Sequence, residues 1–140
     1  MTTPETDFTY LLTRLLEKVP HTTSAVLLSA DGIAKCWDGL HKDQADTLGA
    51  IASSMCSLAN RVGIQFSSGR GGVQQVACEA GECILLVAAA GEGSVLAVVA
   101  ERDVNVGNLG YEMSHLAKQL PDQLSTPARA TTPLAGTSYS

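Results

Sequence analysis

Four cysteines and three histidines are the residues of this chain most able to do chemistry, as nucleophiles, general bases or zinc ligands. A nucleophilic cysteine needs a base and an orienting group, but the histidines fall in three different predicted elements and carry no recognisable local signature. They are His21 before a strand, His41 at a helix start and His115 in the final helix. Cys78 and Cys83 flank a turn and could approach across a hairpin, yet their wide spacing and lack of a companion pair do not favour zinc. The sequence therefore predicts no enzyme active site, no metal site and no cofactor.

A glycine-rich segment at residues 67–72, Ser-Ser-Gly-Arg-Gly-Gly, could hold a phosphate on its backbone N–H groups. It lacks the Gly-Lys-Ser/Thr ending of a P-loop, and it precedes a predicted strand where a P-loop would precede a helix. We therefore interpret this segment as a turn.

Length and charge exclude several classes of protein. A chain of 140 residues fits one domain that can fold without cross-links. Its net charge of −5 repels phosphate backbones, which argues against a nucleic-acid or anionic-membrane partner. It has no basic and apolar leader and no apolar run near the ~20 residues of a membrane span, so we expect a cytoplasmic protein that does not insert into a membrane.

Hydrophobic periodicity predicts three helices and five strands. In chain order they are a helix over 8–19 behind a possible Asp7 cap, strands over 24–30 and 33–37, a helix over 43–62, strands over 73–79, 83–90 and 94–100, and a helix over 106–120. Pro20 and Pro121 end the first and last helices, and Asp31-Gly32 fits a hairpin turn. The same pattern divides the chain into a flexible N-terminus (1–6), one domain (7–120) and a disordered tail (121–140) that is poor in large apolar residues.

The fourth and fifth strands are continuously apolar, so both of their faces must be covered. This predicts an α/β (α+β) sandwich: a five-stranded antiparallel sheet with the second helix on one face and the first and third helices on the other. Leu48, Ala52, Met55, Ala59 and Val62 form the core stripe of the second helix. Strands 2 and 3 are then the edges of the sheet.

The element order, the segment Val-Leu-Leu-Ser-Ala-Asp-Gly at 26–32 and the run from Gly91-Glu92-Gly93 through Tyr111-Glu112-Met113 resemble the Roadblock/LC7 family over residues 7–120. Within the family, the chain is similar to small actinobacterial members encoded beside a sensor kinase and a Ras-like GTPase, and more distantly to MglB-type GTPase regulators. The resemblance implies a profilin-like αββαβββα fold with no enzymatic activity. It also implies a homodimer that regulates or scaffolds a small Ras-like GTPase in bacterial signal transduction, in a complex that can include a sensor histidine kinase.

The implied dimer joins two copies of the second helix and pairs two copies of strand 3. Ile51 and Leu58 lie off the core stripe, and the alternative is that both cover core edges in a monomer. The expected contacts are Ile51, Met55 and Leu58 on the helix and Val73, Gln75 and Ala77 on the strand.

The resemblance also implies that the GTPase docks around the polar face of the second helix. We expect its contacts among Lys42, Asp43, Asp46, Thr47, Ser54, Ser57, Asn60 and Arg61. GTP hydrolysis could be stimulated by ordering the catalytic groups of the GTPase itself, or by an arginine finger, for which Arg70 is the candidate. MglB-type relatives resemble regulators that order the catalytic groups of the GTPase. A third possibility is an adaptor that binds the GTPase without accelerating hydrolysis. Two further alternatives stay open, a small-ligand sensor of PAS-like outline and a purely structural assembly subunit.

Overall fold

The computed structural model describes residues 8–67, 75–90 and 93–120. Its elements are α1 (Thr9–Lys18), β1 (Thr22–Ser29), β2 (Ala34–Asp38), α2 (Lys42–Phe66), β3 (Gln75–Ala80), β4 (Cys83–Ala89), β5 (Ser94–Glu101) and α3 (Val106–Ala117). The predicted αββαβββα order is confirmed. Asp7, Arg70 and Val73, the predicted flexible N-terminus and the tail from 121 lie outside the described residues, and the domain limits 7–120 stay a prediction.

The five strands form one sheet in the order β2-β1-β5-β4-β3, and every neighbouring pair is antiparallel. The hairpin turn at Asp31-Gly32 is present, and Gly32 adopts a φ of 91° that side chains rarely tolerate. Ser29 donates a hydrogen bond to the Asp31 carboxylate, which lowers the pKa of that group. Strands β2 and β3 are the edges, as the sequence predicts.

Two apolar clusters cover the two faces of this sheet. Leu12 and Leu15 of α1 and Leu109 and Met113 of α3 pack on one face. On the other face, Leu48 and Ala52 of α2 pack against strands β1, β4 and β5. The predicted sandwich is therefore correct, and α2 alone covers its own side of the sheet in the described chain.

Two helix ends differ from the predicted ones. The sequence predicts that α2 ends at Val62, but the helix continues to Phe66. Gly63 does not end it, because glycine lowers helix stability by only about 1 kcal/mol relative to alanine, and no proline follows within the helix. Helix α3 ends at Ala117, and the chain then turns so that Leu120 still reaches the core. The longer α2 matters for function because its added turn carries a large apolar side chain.

Candidate functional site

An exposed row of apolar side chains runs along the second half of α2. Ile51, Leu58, Val62 and Phe66 leave 46%, 66%, 58% and 83% of their surfaces exposed, and the half-buried Met55 lies among them. Their spacing of four, three, four and four residues places all five on one side of the helix. We call this row, Ile51, Met55, Leu58, Val62 and Phe66, the apolar stripe.

The stripe arises because α2 touches the sheet with only part of its length. Its fully buried residues, Ala45, Leu48, Gly49 and Ala52, all lie in the first half of the helix. The expectation that Val62 belongs to the core was wrong, since this side chain is more than half exposed. Ile51 and Leu58 do not act as core covers in a monomer, because each leaves close to half of its surface or more in solvent.

The eight residues predicted to contact a GTPase form a polar band on α2 beside the stripe. All are exposed except Asn60, which is half-buried. Lys42 and Asp46 form an ion pair of 2.9 Å that raises the pKa of Lys42, and Ser54 donates its hydroxyl to the carbonyl of Ala50 at 2.9 Å. Asp43, Thr47, Ser57 and Arg61 complete the exposed part of the band. The predicted residues therefore share one surface.

The edge strand β3 carries the other predicted dimer residues. Gln75 and Ala77 lie opposite Ala88 and Leu86 of β4, so their side chains point to the α1 and α3 face. The Gln75 side chain donates to the carbonyl of Gly110 in α3 at 3.1 Å. A second copy that pairs along β3 would therefore contact the backbone of Gln75 and not its side chain. These contacts stay a prediction.

The residues that could do chemistry do not assemble into one site. Cys36 is buried, burial raises the pKa of the Cys56 thiol, and a protonated thiol is a poor nucleophile. Cys78 and Cys83 are exposed thiols on the same face of the β3–β4 hairpin, and the Glu79–Ile84 pair lies between them. Over residues 8–67, 75–90 and 93–120, no three His, Cys, Asp or Glu side chains are grouped so as to hold a metal ion.

The histidines have separate local roles. His21 lies 3.1 Å from the Glu101 carboxylate, and the ring of His115 stacks on that of Tyr111 at 5.9 Å between centroids. The backbone N–H of His41 donates to the Gln44 side chain at the start of α2. The three histidines therefore lie in separate local contacts, and the exposed groups of α2 form the candidate binding surface.

Two features of this surface were missed from the sequence. One is Phe66, which continues the stripe spacing but lay beyond the predicted helix end. The other is an open groove of about 340 Å³ at the start of α2, lined by Leu40, Asp43, Gln44, Thr47, Leu48, Ile51 and Val99. Phe66 could have been found by extending the stripe by four residues, whereas the groove depends on β5 and has no local sequence signal.

Among the described helices, none is long and apolar enough to cross a membrane.

Comparison with known proteins places this geometry in a family. Residues 8–100 match the model of the Roadblock/LC7 domain. A Roadblock/LC7 domain from Streptomyces avermitilis is 47% identical over 79% of this chain and 92% of its own, with a TM-score of 0.76. A second one from the same organism is 32% identical over 81% and 97%, with a TM-score of 0.65.

More distant structures share the fold. MglB from Myxococcus xanthus has a TM-score of 0.71 at 13% identity, covering 85% of this chain and 88% of its own. No curated protein matches this chain. The family model and the 47% identity are sufficient to conclude that this chain belongs to the Roadblock/LC7 family.

Proposed function

We propose that this protein is a non-enzymatic homodimer that regulates or scaffolds a small Ras-like GTPase in bacterial signal transduction. The observation that carries the proposal is the pairing of two surfaces on α2, an apolar stripe and a polar band, in a member of the Roadblock/LC7 family. The stripe supports self-association, and the band offers charged and hydrogen-bonding groups to a partner.

Self-association is favoured because the apolar side chains of the stripe are exposed to water, which is unfavourable in free energy. Burying a side chain of the size of Leu58 or Phe66 stabilises an assembly by about 1.5–3 kcal/mol. Contiguous apolar patches of several side chains are rare on monomeric proteins and mark interaction surfaces. The exposed backbone of edge strand β3 supports the same conclusion, since a symmetric copy could satisfy its hydrogen bonds.

The polar band is the proposed docking surface for the GTPase. It presents Asp43 and Asp46 in the first turns of α2 and Arg61 near its end, so it offers charges of both signs. Charged groups around an interface mainly set specificity and the rate of encounter. Since the dimer has two equivalent bands, it offers the GTPase two symmetric sites.

The proposal assigns a cytoplasmic complex, which can also contain a sensor histidine kinase. Similarity to two Streptomyces domains supports an actinobacterial origin for this complex. The proposed regulator either orders the catalytic groups of its partner or binds as an adaptor.

The test uses the Ras-like GTPase encoded nearest to this protein. Binding is measured in the GDP state and with a GTP analogue, and GTP hydrolysis is followed with and without the protein. Nucleotide-dependent binding with faster hydrolysis identifies an activator, and binding without acceleration identifies an adaptor. Absence of binding in both states overturns the proposal and favours a ligand sensor or an assembly subunit.

A further inference from the structure

The groove at the start of α2 is an apolar site on the same side of the helix as the stripe. Leu40, Leu48, Ile51 and Val99 give it an apolar lining, and Asp43, Gln44 and Thr47 contribute its polar part. Ile51 belongs to both the groove and the stripe, so the two surfaces are continuous. A large apolar side chain arriving along the stripe would reach the groove.

The sheet beside the groove is also partly uncovered. Val99 of β5 pairs with Leu85 of β4, which pairs with Cys78 of β3, so these side chains lie side by side on the α2 face. Val99 is half-buried, and Cys78 and Cys83 are exposed although they point to the face that α2 should cover. A second element laid beside the start of α2 would cover this end of β3 and β4.

Phe66 is the most exposed of the large apolar side chains in the described residues, at 83%. It follows Thr47 by 19 residues in one continuous helix, which corresponds to about 28 Å along the axis. Phe66 therefore cannot enter the groove of its own chain, but the same residue of a second copy can.

We propose that Phe66 of a second copy fills the groove in an antiparallel pair of α2 helices. In a two-fold pair centred between Met55 and Leu58, these two residues face each other across the axis, and Ile51 faces Val62. The same register places Phe66 opposite Thr47, at the groove. The stripe is therefore complementary to the stripe of a second copy in this register. The same register also gives Phe66, the last residue of the stripe, a site to fill.

The size of the surface fits a second copy. The stripe extends about 22 Å along a helix about 10 Å wide, and the groove and the uncovered strand face add to it. This amounts to several hundred Å² per copy, against about 800 Å² per partner in a standard interface, and pairing along β3 would supply the rest.

This inference rests on the proposed homodimer and adds a consequence for it. Asp43 and Thr47 belong both to the groove and to the polar band. Phe66 of the second copy would lie beside them, so each GTPase-docking surface would be built from two chains. A monomer would present an incomplete surface.

Cysteine cross-linking tests the register. Thr47→Cys and Phe66→Cys are combined in a chain whose exposed Cys78 and Cys83 are replaced by serine, and the dimer is oxidised with diamide. A disulfide needs Cα atoms about 4.4–6.8 Å apart, so a bond between positions 47 and 66 can form only between two copies. We expect a covalent dimer on a non-reducing gel from the double variant and none from either single variant.

Two outcomes would overturn the inference while leaving the homodimer intact. One is a dimer by sedimentation that gives no 47–66 bond, and the other is cross-linking of the Phe66→Cys single variant, which indicates parallel helices. A wild-type protein that sediments as a monomer would contradict the homodimer itself.

Truncation of Phe66 gives a second measurement. Phe66→Ala should raise the dimer dissociation constant at least about tenfold, because a large aromatic side chain is removed from its pocket. The matched control is Tyr111→Ala, which removes another exposed aromatic side chain from α3 and should leave the constant unchanged. An unchanged constant for Phe66→Ala would contradict the proposed role of this side chain.

Discussion

Gly49 of α2 packs directly against the β1–β2 turn, because a Cβ atom at this position would lie 2.9 Å from the carbonyl oxygen of Gly32. This contact holds the first half of α2 close to the sheet. The second half, which carries Leu58, Val62 and Phe66, is left largely exposed. The close approach therefore determines which part of α2 is core and which part is available to a partner.

Gly49→Ala should destabilise the protein. The added methyl group would meet backbone, which moves less readily than a side chain, so overpacking of about 1–3 kcal/mol outweighs the helix propensity gained, about 1 kcal/mol. Chemical denaturation measures the change. Gly107→Ala is the control, because its Cβ would make only an ordinary contact at 3.5 Å with Asn105, and stability should stay equal or rise. Equal stability of the two variants would contradict the close packing of α2.

Leu58→Asp should convert the proposed dimer to a monomer without unfolding it, since Leu58 is 66% exposed and contributes little to the core. A carboxylate buried at the centre of an apolar interface would lack a partner. Sedimentation measures the assembly, and circular dichroism checks the fold. Ser57→Asp adds the same charge one residue away, on the polar band, and should remain dimeric. A dimeric Leu58→Asp variant would show that the interface lies elsewhere.

The sequence predicts the layers of this fold well because the pattern is strong there. Doubly apolar strands β4 and β5 can only lie between two helical layers, and both edge strands follow from that arrangement. Strand pairing partners and the groove involve residues far apart in the chain, such as Leu40 and Val99, which no local pattern connects. Val62 was misplaced because helical spacing alone does not show where a helix leaves the sheet.

Ser57→Asp should also weaken GTPase binding about tenfold, because it changes the charge in the middle of the polar band. The dissociation constant for the GTPase bound to a GTP analogue measures this effect. Ser114→Asp, on the exposed side of α3, is the matched control and should bind like the wild type. Equal binding by both variants would exclude this part of α2 from the docking surface.

Arg70→Ala distinguishes the two ways of stimulating hydrolysis. A regulator that orders the catalytic groups of the GTPase should keep its stimulation within a few-fold after this change. An arginine finger contributes about 10³-fold or more, so a loss of that size would identify Arg70 as a finger. Arg61→Ala, measured in the same hydrolysis assay, controls for the general effect of removing a cation near the binding surface.

The most direct test is a binding titration of the intact protein with the Ras-like GTPase encoded nearest to it. Isothermal titration with the GDP and GTP-analogue forms gives both affinity and stoichiometry. We expect saturable binding that depends on the nucleotide and is weakened by Ser57→Asp but not by Ser114→Asp. A dimeric, folded protein that binds neither nucleotide form would contradict the central claim that α2 is the docking surface for a GTPase.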